Sequence, residues 1–496
     1  MKKSVKTMAL ILSGILLMGL ITGCADKEKK ANDPTISQTE AVNNQSSVSA
    51  QNNKPDSIRW MVHDGLLEEE GTQQWVQEFE KKTGISMTLD RVANNEYSQI
   101  LELAFASNTV PDVFDLTTDK VAVYAKQNAV ADITELVEKS VFYENVDSVI
   151  WDSIRLNGKI YGVPAEKPTP TVTYVRKDWL DRLGLDVPET YEEFVEMLRR
   201  FKEDIPECTV PMTGISTELA KFFPEFCQGA NPNFIKKDGK WVDGMKQPNM
   251  KDALSNLREA YEEGLLDSEM VTNTTANCRD QWYAGSVGVF NYQGGRWGQQ
   301  LEERVKMNVP EAEVIAIPPI GGAEYQYMGM KLYCISSKLS DEEVSAVFDS
   351  FISYMHDGED GQVLFQSGVE GVHWEQDGDY VKPLPNLSNP KEDLKKCWID
   401  PRRPISPLKL TDKKNIENEM VDSSLEIGDS YCVQNSIYPF SESYTKINGE
   451  LTMLKQEIIA KVILGDMTVE EGMMEYEKNS ERLNVAKVED EMNAGQ

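Results

Sequence analysis

Ser57-Ile58-Arg59-Trp60-Met61-Val62 runs into His63-Asp64-Gly65, and Trp75, Val76 and Phe79 follow at helical spacing. The first six residues predict a strand, which the Gly ends. The spacing of the three apolar residues predicts a helix over 68–83, with Gly84 as its C-cap. Residues 85–89 alternate and predict a second strand, and 97–106 predicts a second helix. Pro111-Asp112-Val113-Phe114-Asp115-Leu116 predicts a buried strand. Strand, helix, strand, helix, strand is the pattern of a parallel α/β sheet, because parallel strands need a crossover and helices supply it.

Working towards the C-terminus, a short helix is expected over 121–128 and another from 133, capped by Asp132. Asn157-Gly158 is a tight-turn dipeptide ahead of an extended segment, 159–164. A strand is expected over 171–176 and a helix over 178–183, ended by Gly184. Thr190 with Glu193 forms a capping box for a helix whose apolar positions are Phe194, Met197, Leu198 and Phe201. Asp238-Gly239 and Asp377-Gly378 each carry the residues of a type I′ hairpin turn. A helix is expected over 250–263. A buried strand over 287–290 leads into Gln293-Gly294-Gly295-Arg296-Trp297. Strands follow over 314–317 and 332–336, and a helix over 344–355. Residues 382–445 predict loops and short helices, and helices close the chain over 451–464 and 469–483. No internal repeat is visible.

Towards the N-terminus, Lys2, Lys3 and Lys6 precede an apolar run over 8–21. That run is shorter than the ~20 residues a bilayer-spanning helix needs, and it fits the h-region of a signal peptide. Ile21-Thr22-Gly23-Cys24 follows at once and is similar to a bacterial lipoprotein cleavage box. The resemblance implies a signal peptide over 1–23, diacylglyceryl transfer to the Cys24 thiol and a palmitate-type acyl anchor. Residues 24–55 are rich in Lys, Asn, Gln, Ser, Thr and Ala. They have too little apolar surface to offset their ordering entropy, so they read as a tether.

The composition narrows the function classes. The chain has 496 residues with 51 Lys+Arg against 82 Asp+Glu, a formal net charge of -31. Binding nucleic acid needs clustered cations to replace phosphate counterions, and no Lys/Arg run exceeds three. A length of this order predicts two to four domains or two large lobes. Three His and seven Cys, with no HExxH and no paired CxxC, point to no metal and no cofactor. The six cysteines after Cys24 are dispersed, and their pairing is left open. No GxSxG and no phosphate loop is present, so no catalytic residue is assigned. Asp357-Gly358-Glu359-Asp360-Gly361 has some oxygen-ligand character for calcium but departs from EF-hand spacing, and it reads better as a solvated turn.

Four stretches carry a family resemblance: Phe79-Glu80-Lys81-Lys82-Thr83-Gly84-Ile85; Asn157-Gly158-Lys159-Ile160-Tyr161-Gly162-Val163-Pro164; Tyr174 to Leu185 with Pro188, Thr190 and Glu193; and Gly368-Val369-Glu370-Gly371-Val372-His373-Trp374. In this order, behind the lipoprotein box, they resemble the family 1 extracellular solute-binding lipoproteins of bacterial ABC importers. That group contains maltose-binding protein, and the match is to its large oligosaccharide branch from Gram-positive bacteria. The resemblance runs over about 57–485. It implies a type II-like periplasmic-binding-protein fold, with an N-lobe of 56–165 and 326–370, a C-lobe of 166–325 and 371–496, and the ligand cleft between them. It also implies a monomer on the outer face of the cell membrane, held by its lipid anchor alone. Its partners would be a carbohydrate and the permease subunits of an ABC transporter. Two other function classes stand beside this one: a ligand sensor for a membrane receptor kinase, and a secreted polysaccharide-acting enzyme.

Ligand sites in open α/β sheets lie off the carboxyl ends of strands, which selects His63, Asp64, Asp115, Arg176 and the run from Asn291 to Trp297. Carboxylates, amides and Arg suit the hydroxyl edges of a sugar, and indole faces suit its ring. Trp297, after a buried strand and a Gly-Gly turn, is the candidate stacking aromatic. Asp64 and Asp115 either touch ligand or cap turns. Glu166 either touches ligand or sits in the hinge. Arg176 either holds a cleft acid or forms a structural salt bridge. Glu370, His373 and Trp374 flank the second hairpin and complete the set.

Overall fold

A computed structural model describes residues 54–63, 69–93, 96–385, 398–433 and 436–494, with 63, 69 and 70 described through their backbone alone. The opening stretch forms the elements its pattern predicts. Strand Ser57–His63, helix Glu69–Thr83, strand Ser86–Val92, helix Tyr97–Ala106 and strand Val113–Thr117 follow in order. Ser57–His63 is the centre of the parallel set: it pairs with Ser86–Val92 on one side and Val113–Thr117 on the other. The sheet is then completed from far along the chain. Lys331–Ile335 runs antiparallel to Val113–Thr117, and Val163–Pro164 is antiparallel to Lys331–Ile335.

A second sheet has the order Val314–Ile317, Thr171–Arg176, Val287–Gln293, Val210–Thr213. Thr171–Arg176 is antiparallel to both neighbours, and Val210–Thr213 is parallel to Val287–Gln293. Each sheet has its own core. The first gathers Trp60, Trp75, Phe114, Tyr333, Phe351, Phe365 and Trp398. Rings pack around Trp60 at centroid distances of 4.9 Å to both Phe351 and Trp398. The second gathers Trp179, Phe194, Phe201, Trp282 and Phe290, and takes in Leu451, Ile458 and Val488 of the C-terminal helices. The chain passes from first to second core between Ala165 and Val172 and returns between Tyr325 and Met330. It crosses again between Ile405 and Met420 and touches the first core once more at Ile437.

Several expectations need correction. Trp398, Ile399 and Ile405 belong to the first core, whereas 371–496 was assigned whole to the second lobe. The aromatic wall of Trp60 and Trp75 supplies the apolar surface that Trp398 covers. Described residues of the stretch read as loops and short helices contain helix Glu419–Tyr431, 13 residues long. Its buried side is Met420, Val421, Ser424 and Gly428, too small and polar to show as an apolar stripe. Helix Glu442–Leu464 begins nine residues before the expected 451.

The first hairpin turns on Asp238 and Gly239, both at positive φ, as type I′ requires. The second pairs Asp377 with Tyr380, so its turn is Gly378-Asp379, and Gly378 alone has positive φ. One left-handed residue at the first central position makes that turn II′-like. The acidic 357–361 stretch starts helix Asp360–Ser367: the Asp357 carboxylate accepts the N–H groups of Glu359, Gly361 and Gln362.

Candidate functional site

Strand Val287–Gln293 turns into helix Arg296–Asn308 through two glycines. A Cβ on Gly294 would come within 3.0 Å of Pro170, and Gly295 has φ 69° and ψ -136°, a region open to Gly. The Gly295 N–H donates to Ser424 Oγ at 2.9 Å. This tight turn brings one face of the helix to a cavity of about 550 Å³, lined by Arg296, Gln299, Gln300, Glu303 and Met307. The opposite wall comes from Gln366 and Ser367, at the end of a helix packed on the first core, and from His373, Trp374 and Val381, the last two in a small apolar cluster with Val363 of that helix. Asp400 and Arg402 line a third side, with Asn418 beside them. The cavity therefore lies between the two cores. Indole, amide, guanidinium and carboxylate groups face one another across a space of the size that holds small ligands.

His373 and Trp374 hold their places through Gly368, where a Cβ would meet the His373 ring at 2.7 Å. Trp374 Nε1 donates to the Gly368 carbonyl at 3.0 Å, and Val369 N–H donates to His373 Nδ1 at 2.9 Å. Both rings are buried.

An ion chain crosses the floor. Arg296 lies 3.2 Å from Asp400, and Arg403 lies 3.5 Å from the same carboxylate. The other end of Arg403 meets Glu166 at 2.5 Å, and Asp400 N–H donates to Glu166 Oε2 at 2.6 Å. Burial alone would depress the Arg403 pKa, but Glu166 and Asp400 outweigh it and hold the guanidinium above its ordinary value. Arg402 pairs with Asp422 of the second-core helix, although burial lowers its pKa. Such partly buried charges persist only because each is paired.

The sequence-selected residues scatter. Cys24 and Asp64 lie outside the described residues. His63 is the last residue of its strand, opposite Val92. Asp115 is buried and lines a separate cavity of about 130 Å³ with Lys120, Lys331 and Tyr97, at the carboxyl end of its strand. Its N–H donates to the Tyr97 hydroxyl at 2.9 Å. Burial, with the Asp115 charge, raises the Tyr97 pKa well above the usual phenol range. Glu166 sits in the passage between cores with both carboxylate oxygens bonded as above.

Arg176 is not brought to either cavity. It is buried, forks onto Asp178 at 2.8 and 2.6 Å, and donates to the Gly285 carbonyl at 3.0 Å. Its strand ends on the side of the sheet away from the passage at Thr171. Asn291 is buried inside the second lobe, where its Nδ2 donates to Thr173 Oγ1 at 2.7 Å. Glu370 is exposed and does not line the cavity. Trp297 is half-buried on the helix face beside Arg296. Its ring lies edge-on to Tyr292 at 5.9 Å, with the Arg279 guanidinium 5.4 Å from the centroid.

Sequence reasoning missed Gln300, Gln366, Asp400 and Arg402. Arg296 falls inside the run from Asn291 to Trp297, where its aromatic neighbour is the residue singled out. Asp400 and Arg402 lie in Asp400-Pro401-Arg402-Arg403-Pro404, a charged, proline-bounded run inside a stretch read as irregular. Gln300 and Gln366 carry no local signal, since an amide on a helix is usually a solvated residue.

Among the described residues no helix is long and apolar enough to cross a membrane, and no group of three or more His, Cys, Asp or Glu could hold a metal ion. The family described as bacterial extracellular solute-binding protein matches residues 65–339. Lipoprotein LipO of Bacillus subtilis is 27% identical over 325 residues, 61% of this chain and 64% of LipO, so the match spans just under two thirds of that relative. The polygalacturonan/rhamnogalacturonan-binding protein YtcQ of Bacillus subtilis is 21% identical over 431 residues, 81% of this chain and 84% of YtcQ. Among solved structures, an HMO-binding, ABC-transporter-associated solute-binding protein from Bifidobacterium longum infantis aligns with a TM-score of 0.69 at 16% identity. That alignment covers 89% of this chain and 98% of the other, a likeness of fold.

Proposed function

This chain belongs to the bacterial extracellular solute-binding protein family, and on that premise we propose that it captures an oligosaccharide outside the cell and delivers it to the permease of an ABC transporter. The observation that carries the reading is the cavity between the two cores. Its walls present the amides, carboxylates and guanidinium groups that pair with sugar hydroxyls, with the buried edge of Trp374 beside them. The carbohydrate-binding names of YtcQ and of the Bifidobacterium protein support the ligand class. Membership of the solute-binding family supports a binding role.

The ligand residues we propose are His373 and Trp374 on one wall and Arg296 on the other; Trp297 follows Arg296 but does not line the cavity, and is proposed to reach ligand from its rim. Asp115, in strand Val113–Thr117 of the first sheet, and Asp64 are proposed as further ligand residues. Glu166 is proposed for the hinge. The lobes are proposed as two bodies, one around each core, joined by the passages after Ala165 and Tyr325 and the later crossings. The relative named lipoprotein LipO supports an anchor at Cys24. Replacing Cys24→Ala is expected to release the protein into the medium or leave its precursor uncleaved. Unchanged membrane retention would defeat the anchor.

The test of the function is a thermal-shift screen of the purified protein against an oligosaccharide panel. A ligand at about 100 times its Kd stabilises by about 2.7 kcal/mol. At least one oligosaccharide is expected to raise the melting temperature with concentration. A panel without any such sugar refutes the reading.

A further inference from the structure

Two polar atoms in the cavity wall are buried and hydrogen-bonded to nothing: Oε1 of Gln300 and Nε2 of Gln366. They come from opposite sides. Gln300 rides on helix Arg296–Asn308, whose Leu301 and Val305 are in the second core. Gln366 rides on helix Asp360–Ser367, whose Leu364 and Phe365 are in the first. An unpaired buried donor or acceptor carries its full desolvation penalty, so a fold keeps one where something else completes it. One acceptor and one donor on facing walls suit hydroxyl groups, which give and take a hydrogen bond.

The charged groups around them are already matched. Arg296 pairs with Asp400, Arg402 with Asp422, and Lys382 with Glu375. Glu303, Arg304 and Glu417 line the cavity as well, so carboxylates and cations stand together around it. A ligand carboxylate would therefore have to displace an internal one.

We propose that Gln300 and Gln366 are the pair that binds ligand hydroxyls from the two sides, and that the ligand is an uncharged oligosaccharide and not a uronate. This rests on the carbohydrate-binding reading above. Because each amide bridges to ligand only when both walls face it, the pair also makes binding depend on the two lobes being together.

The experiment measures calorimetric affinity for neutral gluco-, galacto- and fructo-oligosaccharides and for oligogalacturonides, at low and high salt. The protein is compared with its Gln300→Met and Gln366→Met variants, which keep length and helix propensity but lose the amide. A neutral sugar is expected to bind with little salt dependence, and each variant to lose about tenfold to a hundredfold in affinity. Free of ligand, each variant is expected to melt no lower than the parent, since no protein hydrogen bond of the unpaired atom is lost. Variants that melt earlier but bind the neutral sugar as the parent does would give the amides a structural role and overturn the proposal. Tighter binding of an oligogalacturonide, falling steeply with salt, would overturn the uncharged ligand. Silence of both sugar classes would sink the carbohydrate reading itself, a different result from unaffected variants.

Discussion

Glu225 lies fully buried in the second lobe and bonds Thr173, whose hydroxyl also receives Asn291 Nδ2. Burial pushes its pKa up from 4.5 to about 7, against the Thr173 hydrogen bond. The unfolded chain releases this proton near 4.5 and the folded chain near 7. Stability from the group is therefore whole below 4.5 and is withdrawn as pH rises through that window, by roughly 3 kcal/mol in all. Glu225→Gln keeps an acceptor for Thr173 and removes the titration. Urea unfolding at pH 4 and pH 8 is expected to show the parent losing about 3 kcal/mol more between these pH values than the variant does. Equal losses would mean that Glu225 stays ionised inside the fold. Trp297 is the other residue whose role a single change decides. Trp297 packs against the second core but keeps part of its surface open, so Trp297→Ala is expected to cost less stability than the about 3–5 kcal/mol of a core Trp. Affinity for sugar is expected to fall by about 1–3 kcal/mol, the worth of about 100 Å² of apolar contact after ordering costs. Early melting with unchanged affinity would assign the ring to the core beneath Arg279.

Two C-terminal helices, Glu442–Leu464 and Val469–Arg482, are tied to the hairpin Phe234–Asp243 by one buried knot. Lys455 donates to Asp243 at 2.7 Å and to the Pro232 carbonyl at 2.6 Å, and Tyr476 donates to the other Asp243 oxygen at 2.5 Å. Burial lowers the Lys455 pKa, partly offset by Asp243. Removing one member of a buried pair leaves the other uncompensated, so Lys455→Met is expected to cost about 3–5 kcal/mol in urea unfolding. Adding Asp243→Asn removes the stranded charge while keeping an acceptor for Tyr476. The double variant is expected to regain more than half of the loss, and a double variant no better than the single would show that packing, not charge, holds the helices.

At the scale of the molecule, the ion chain from Glu166 through Arg403 and Asp400 to Arg296 joins the passage segment, the first-core wall and the second-core helix. Asp400→Asn leaves Arg296 and Arg403 without the carboxylate they share. The expected result is a larger radius of gyration for the free protein in small-angle scattering and about tenfold weaker sugar binding, about 1.4 kcal/mol. Unchanged size and affinity would mean that the chain of charges does not hold the lobes together.

Local pattern determined much of this protein. The alternation of strand and helix over 57–117, the capping box at Thr190 and Glu193 and the Asp238-Gly239 turn are set by neighbours in sequence, because backbone conformation there answers to residues three or four positions away. The family motifs and the Gly294-Gly295 turn were legible for the same reason. Helix Glu419–Tyr431 was not, since its buried face is made of Ser424 and Gly428, whose place was fixed by Pro170 pressing against it from 258 residues earlier in the chain. The site was the least legible part. Arg176 and Asn291 looked like cleft residues because they lie near strand ends, but burial turned both inward to bond their own lobe. Asp400 and Gln366 meet Arg296 and Gln300 only when two separately built cores face each other. A contact between residues a hundred apart is decided by how those cores pack, and no spacing along the chain records it.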